Sequence, residues 1–189
     1  QINLFKSIIT KYTNKKNIKP FFHLLNSSGI FNYPDLELDA VRPGISLYGY
    51  ANNFHWDKDL LPISSLTTKI FQIHNVKKGD SVGYNNGWFA KKNSKIGVIP
   101  IGHADGIPRS FGMQKGWFTI KNKKAYIVGN VCMDITMIDI TEINCKVGDE
   151  AVLFGNNISA ALIAENCNTI SYELLSNISN RIPRNFIEN

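Results

Sequence analysis

The residues of this chain best suited to chemistry lie between Val82 and Thr141, where V-G-Y-N-N-G, I-P-I-G-H-A-D-G-I-P-R and G-N-V-C-M-D-I-T-M-I-D-I-T follow at short intervals. Tyr84, Asp105, Arg109 and Asp134 stand there among residues that otherwise spell strands and turns. A phenol at a strand end can hold or pass a proton, but it ionises near about 10 and needs cationic neighbours to act as a base near neutrality. The plain alternative for Tyr84 is packing with its hydroxyl in water. Asp105 and Arg109 read equally well as a salt bridge within their own loop.

A second group lies upstream. Asn26-Ser27-Ser28-Gly29 follows a short apolar run, and its hydroxyls and backbone N–H groups could cup an anion, although an ordinary turn explains them too. Val41-Arg42-Pro43-Gly44-Ile45 puts a guanidinium in a mostly apolar strand, and Gly44 would let a backbone N–H approach a ligand closely. A charge in such a strand must be paired, because an uncompensated buried ion costs several kcal/mol. An internal salt bridge to a carboxylate is the alternative for Arg42.

The elements that must position these residues change character along the chain. Phe5, Ile8, Ile9 and Tyr12 recur at helical spacing, and Asn14 to Lys19 is a polar connection ending at Pro20. Phe21 to Leu25, apolar without alternation, predicts a strand buried on both faces. Asn26 to Gly29 reads as a loop, and Ala40 to Tyr50 as a second strand with a Pro-Gly irregularity. This is the rhythm of an α/β barrel or doubly wound sheet, with room for only one or two units.

From about Ile63 the pattern becomes short strands divided by turns at Lys78-Gly79-Asp80, Asn86-Gly87, Gly102 to Gly106, Lys121 to Lys124, Gly148-Asp149 and Gly155 to Asn157. K-K-G-D-S-V from Lys77 and K-V-G-D-E-A-V from Lys146 echo one another as similar strand entries, without the fixed period of a solenoid. Ser159 and Ser171 are placed as N-caps of helices over Ala160 to Asn166 and Tyr172 to Ile178. The fold class is a mainly β domain of barrel or sandwich type over residues 56–189, preceded over 1–55 by an incomplete α/β end.

Composition narrows the partners. The chain has 189 residues, is 43% hydrophobic and carries a net charge of +6. Seventeen of its 21 basic residues are Lys, and only Arg42, Arg109, Arg181 and Arg184 are Arg. Nucleic-acid recognition favours Arg forks, so a Lys and Asn excess argues for a solvated surface and against that partner. No apolar stretch approaches the roughly 20 residues of a membrane helix and no leader is evident, which predicts a cytoplasmic protein without a membrane partner. Cys132, Cys145 and Cys167, odd in number and without a C-x-x-C pair, fit neither a disulfide framework nor a zinc site, and no metal is expected. Gln1 opens directly into the first helical pattern, which reads as a piece of a longer protein.

Taken together, H-x-x-N-S-x-G from His23, V-R-P-G-I-S-L-Y-G from Val41 and the three motifs of Val82 to Thr141 resemble alanine racemase in order and content. That family interconverts L- and D-alanine with pyridoxal 5′-phosphate, and the resemblance spans nearly the whole chain. It implies that residues 1–55 end a pyridoxal-phosphate-binding TIM-type barrel and that 56–189 form the family's C-terminal β domain. It further implies cofactor binding by Ser27, Gly44 and Ile45 at the phosphate, by Tyr172 of T-I-S-Y-E at the same group, and by Arg42 at the pyridine nitrogen. An Arg there keeps the ring nitrogen neutral, which limits side reactions and suits racemisation.

By the same resemblance Tyr84 is one of two catalytic bases and serves the partner subunit of a homodimer with composite sites. The family couples its Tyr to the Arg through a His that has no counterpart among His23, His55, His74 and His103. Met133 of V-C-M-D would offer its backbone N–H to the substrate carboxylate, and His103, Asp105, Arg109 and Asp134 would line the entrance. His103 replaces a usual Tyr and Asn130 a common Arg, while Arg181 and Arg184 resemble a structural R-[IV]-P-R ending. The Schiff-base Lys, in a K-x-N-A-Y-G-H-G motif, does not occur in these 189 residues, so the chain alone is expected to be inactive. A racemase for serine or another small amino acid, a non-catalytic racemase-like half of a fusion, and a barrel decarboxylase on the same cofactor are the alternatives. The G-x-A-D-G-x-x-R and C-M-D segments count against the last.

Overall fold

A computed structural model describes residues 1–13, 20–51, 53–155 and 158–187. The connection read over Asn14 to Lys19, and Asn156 and Asn157 of the last turn, lie outside the described residues. The chain divides into two compact units, Gln1–Leu61 and Pro62–Asn189.

In the first unit the helical spacing becomes α1 (Ile2–Thr13), and Phe5 meets Phe22 edge-on at 6.3 Å between ring centroids. β1 (His23–Asn26) runs parallel to β2 (Ala40–Arg42), with α2 (Ser27–Asn32) between them and α3 (Phe54–Asp57) following. Three expectations are corrected here. The apolar run does not form a strand buried on both faces: β1 starts at His23, Phe21 is 70% exposed, and Leu25 is the strand's one buried residue. The physical reason is that β2 is the only strand paired with β1 among the described residues.

Asn26 to Gly29 is a helix start rather than a loop, because Asn26 Oδ1 accepts from Gly29 N–H at 3.0 Å and caps α2. The second strand stops at Arg42, since Pro43 has no N–H to continue the ladder. The chain instead makes a 3₁₀ turn over Ile45–Tyr48, closed by Gly49 at φ +87°.

The second unit is mainly β. Its strands are β3 (Leu66–Lys69), β4 (Gln72–Val76), β5 (Ser81–Val82), β6 (Trp88–Phe89), β7 (Ser94–Ile99), β8 (Trp117–Ile120), β9 (Lys123–Tyr126), β10 (Thr136–Asp139) and β11 (Glu150–Phe154). They form antiparallel sheets ordered β10-β7-β4 and β3-β11-β8-β9, with β5 and β6 as a separate hairpin. The two larger sheets meet at two corners. At one, Ile70 N–H bonds to Asp149 O and Phe71 N–H to Val98 O, so the chain crosses between sheets in two residues. At the other, Ile127 pairs with Ile138.

The core between the sheets holds Phe118, Ile120, Ile127, Ile138 and Leu153, each fully buried. Lys121 and Asn122 both have φ above zero, +47° and +63°, which matches a two-residue hairpin loop between β8 and β9 to the twist of its strands. Two short helices, α4 (Ala160–Asn166) and α5 (Ser171–Ser176), close the unit. Ser159 caps α4 as predicted, its Oγ accepting from Leu162 N–H. Ser171 does not cap α5: Ile170 holds that position, and the helix ends at Ser176. Packing turns Ser171 inward, fully buried, with no hydrogen-bond partner for its Oγ among the described residues.

Candidate active site

Ser27 is 2% exposed, and its hydroxyl is the centre of the polar cluster in the first unit. Its Oγ accepts from Gly44 N–H at 2.8 Å and from Ser46 N–H at 3.3 Å, and lies 3.1 Å from Ser46 Oγ. This arrangement follows from the break after Arg42, which folds residues 44–46 back over the start of α2. Ile45, in the same turn, is buried.

Arg42 is exposed, and in place of the alternative salt bridge to a carboxylate it makes a hydrogen bond of 2.7 Å between Nη1 and His23 Nδ1. Sequence reasoning passed over His23 in this role. The parallel pairing of β1 with β2 brings the two together, and no spacing rule announces it.

In the second unit the three motif loops interlock. Tyr84 leaves β5 through Gly83 at φ +84°, and Asn85 and Asn86 are both left-handed, at +57° and +52°. Asn tolerates that conformation better than most residues, so the short turn can hold its phenol outward, where Tyr84 is 69% exposed. The turn is tied by Gly87 N–H to Tyr84 O at 3.2 Å, by Asn130 Nδ2 to the same oxygen at 3.1 Å, and by a 2.9 Å bond between Ser81 Oγ and Asn86 Oδ1.

Gly102 shows how closely the other two loops approach. A Cβ on it would stand 2.4 Å from the carbonyl oxygens of both Cys132 and Met133. Beside it, His103 N–H bonds to Cys132 O and Ala104 N–H to Met133 O, each at 2.9 Å. Met133 is 59% exposed, and its own N–H has no hydrogen-bond partner among the described residues. His103 is exposed on the same loop.

Asp105 is 4% exposed and pairs with Arg181, not with Arg109 as the loop reading expected. The Arg181 Nε lies 2.6 Å from Asp105 Oδ1 while its Nη2 lies 2.6 Å from Asp134 Oδ1, so one guanidinium joins both loops. Burial alone would raise the Asp105 carboxyl, but the bonds from Arg181 and from Gly102 N–H together hold it below the ordinary carboxylate range. Arg109 is exposed in a separate 3₁₀ turn, Arg109–Phe111. Tyr172 is half-buried in the first turn of α5, apart from these loops in sequence, although the end of α5 approaches Gly106: a Cβ there would stand 2.2 Å from Asn177 O.

An open groove of about 900 Å³ runs beside Tyr84, lined among others by His74, Val82, Cys132, Ile135 and Met137. Among the described residues no group of His, Cys, Asp and Glu could hold a metal ion, and no helix is long and apolar enough to cross a membrane.

With this geometry in view, the profile of "Alanine racemase, C-terminal domain" matches residues 63–186. The chain belongs to the alanine racemase family. The profile of "Alanine racemase, N-terminal domain" matches residues 1–52. Alanine racemase of Thermodesulfovibrio yellowstonii is 39% identical over 186 residues, covering 96% of this chain and 49% of the relative. That of Halothermothrix orenii is 38% identical over 193 residues, covering 98% and 51%.

Among solved alanine racemases, that of a D-cycloserine-producing Streptomyces lavendulae superposes with a TM-score of 0.92 at 26% identity, over 100% of this chain and 51% of that one. The Bacillus anthracis enzyme with bound L-Ala-P gives 0.86 at 32% identity, over 100% and 50%. The chain therefore spans about half the length of the alanine racemases it matches. Its fold is that of the family's mainly β C-terminal domain with a small barrel end before it.

Proposed function

We propose that this chain is the C-terminal half of a pyridoxal-phosphate-dependent alanine racemase, a homodimer with composite sites that supplies D-alanine for peptidoglycan in the cytoplasm. The observation that carries this reading, beside family membership, is Tyr84: a phenol held outward on a clamped backbone, beside a groove that Cys132, the neighbour of Met133, also lines.

The first unit's donors fit the cofactor. The N–H groups of Gly44 and Ser46 gather on Ser27 Oγ, which accepts from both, and a phosphate oxygen taking the place of that acceptor would receive the same two donors and the Ser27 hydroxyl; Ile45 belongs to the same turn. Arg42, which can only donate, matches a pyridine nitrogen that accepts. When bound, the cofactor supplies an electron sink that stabilises the negative charge left by removal of the α-proton.

Each residue then has one task. Tyr84 Oη takes or returns the α-proton on one face of the substrate, in the partner's site, while the upstream Lys serves the opposite face. Met133 N–H, without a partner among the described residues, is available to the substrate carboxylate. His103, Arg109 and Asp134 line the entrance. Asp105, buried against Arg181, contributes to the entrance by holding its loop.

The test uses full-length protein assayed in both directions with alanine and with serine. Alanine turnover is expected to exceed serine turnover, and Tyr84→Phe is expected to lower kcat by more than about a hundred-fold, as loss of a general base does. Residues 1–189 alone should show no turnover, and light scattering should return a dimer for the full-length protein. Alanine turnover left intact in Tyr84→Phe would overturn the base assignment; absence of any turnover by the full-length protein would overturn the function.

A further inference from the structure

Asn130 occupies a place in this chain where the family resemblance leads one to expect an Arg, and its side chain does something specific. Its Nδ2 donates to the backbone carbonyl of Tyr84 at 3.1 Å across 46 residues of sequence. A carbonyl can only accept, so the amide must present its NH₂ edge. The same oxygen receives Gly87 N–H at 3.2 Å, which occupies both of its lone pairs.

A Cβ on Gly87 would lie 3.1 Å from Asn130 Nδ2, and one on Gly83 would lie 3.5 Å from Asn130 N. The two glycines flanking the Tyr84 turn thus leave room for Asn130 to reach it. Gly129, at φ +65°, bends the chain under the turn, where a Cβ would meet Val82 O at 2.8 Å. The turn itself is built from residues in a sparsely populated conformation, Asn85 and Asn86, which persists only where the surroundings hold it.

Resting on the assignment of Tyr84 as a base, we infer that Asn130 is a positioning residue for it. It fixes the peptide after Tyr84 and so fixes the direction of the phenol, without touching substrate. Reaction rates are sensitive to such placement, a displacement of about 1 Å being able to cost about a hundred-fold. Here one of several ties is involved, so a smaller effect is expected.

The experiment compares Asn130→Asp, Tyr84→Phe and the double variant in the full-length protein. Aspartate keeps the shape of asparagine but turns an acceptor toward the Tyr84 carbonyl. Kcat for alanine should fall about ten-fold with KM changed less than about two-fold, whereas a purely space-filling role predicts no change. In the Tyr84→Phe background the same substitution should cost less than about two-fold, because there is no phenol left to aim. Asn130→Ala, which removes the donor without adding a charge, should give a similar fall in kcat and the same loss of effect in the Tyr84→Phe background, which separates lost positioning from the charge that aspartate brings. Wild-type kcat in the Asn130 variant, or full multiplication of the two losses, overturns the inference alone. Wild-type kcat in Tyr84→Phe overturns the base assignment and this inference with it.

Discussion

Arg42 donates from Nη1 to Nδ1 of His23 at 2.7 Å, from one strand to the neighbouring parallel strand. A guanidinium has no lone pair to offer, so Nδ1 must be the accepting nitrogen and the neutral ring carries its proton on Nε2. The imidazole thereby limits where the guanidinium can point, which matters if Arg42 is to meet a ring nitrogen.

Two-bond ¹H–¹⁵N correlation spectra should therefore show the Nε2–H tautomer for His23. In the full-length protein His23→Leu, which leaves Arg42 without this acceptor, should lower kcat roughly ten-fold, and His23→Asn should recover part of it. An Nδ1–H tautomer would contradict the geometry.

The Asp105–Arg181 pair makes stability pH-dependent in a defined direction. The folded-state carboxyl lies below its unfolded value, so its contribution is present above about 3.9 and is lost as pH falls through the lower, folded value. Asp105→Asn should destabilise the protein by about 1–3 kcal/mol near neutrality. The gap between wild type and variant should close below about pH 4, as read from urea midpoints at a series of pH values. A gap that widens in acid would be inconsistent with this sign.

Gly102 cannot carry a side chain without moving the loops apart, since both the Cys132 and Met133 carbonyls already occupy the Cβ position. Gly102→Ala should cost about 1–3 kcal/mol by overpacking and displace the Met133 peptide. Thermal unfolding checks the first effect. In the full-length protein a rise in KM for alanine checks the second, if Met133 N–H binds the substrate carboxylate.

The three thiols should differ in reactivity. Burial pushes the Cys167 thiol up to about 11, offset only in part by Lys115, and burial raises Cys132 as well. Cys145 is raised too, but it alone of the three is incompletely buried. Iodoacetamide at pH 7.5 under native conditions should label Cys145 before either of the others, with Cys167 among the last. Mass spectrometry of the labelled peptides gives the order directly.

Much of the local structure was legible from residue order because it depends on neighbours a few positions away. The spacing of Phe5, Ile8, Ile9 and Tyr12 needs only the helical period, the turn read over Lys121 to Lys124, which the structure narrows to Lys121 and Asn122, only a turn chemistry, and the cap at Ser159 only a hydroxyl before an apolar run. Where local signals competed, they misled. Ser171 has the right type for a cap, yet packing of α5 buried it and gave the position to Ile170. Asn26 looked like part of a turn, and one hydrogen bond to Gly29 made it a helix start.

By itself, the sequence determined the family, the mainly β character of the larger unit and the segments that carry Tyr84, Asp105, Met133, Ser27 and Arg42, because motif order and strand-and-turn periodicity are properties of residue order. Only the tertiary structure decided the pairings: Arg181 rather than Arg109 for Asp105, His23 rather than a carboxylate for Arg42, and Asn130 for the Tyr84 backbone. The first joins residues 76 positions apart, the second 19 and the third 46. Several residues of compatible charge or hydrogen-bonding capacity were available in each case. Which one arrives within hydrogen-bond distance depends on where sheets turn and loops close, and that is fixed by burial of the whole core rather than by any local stretch of chain.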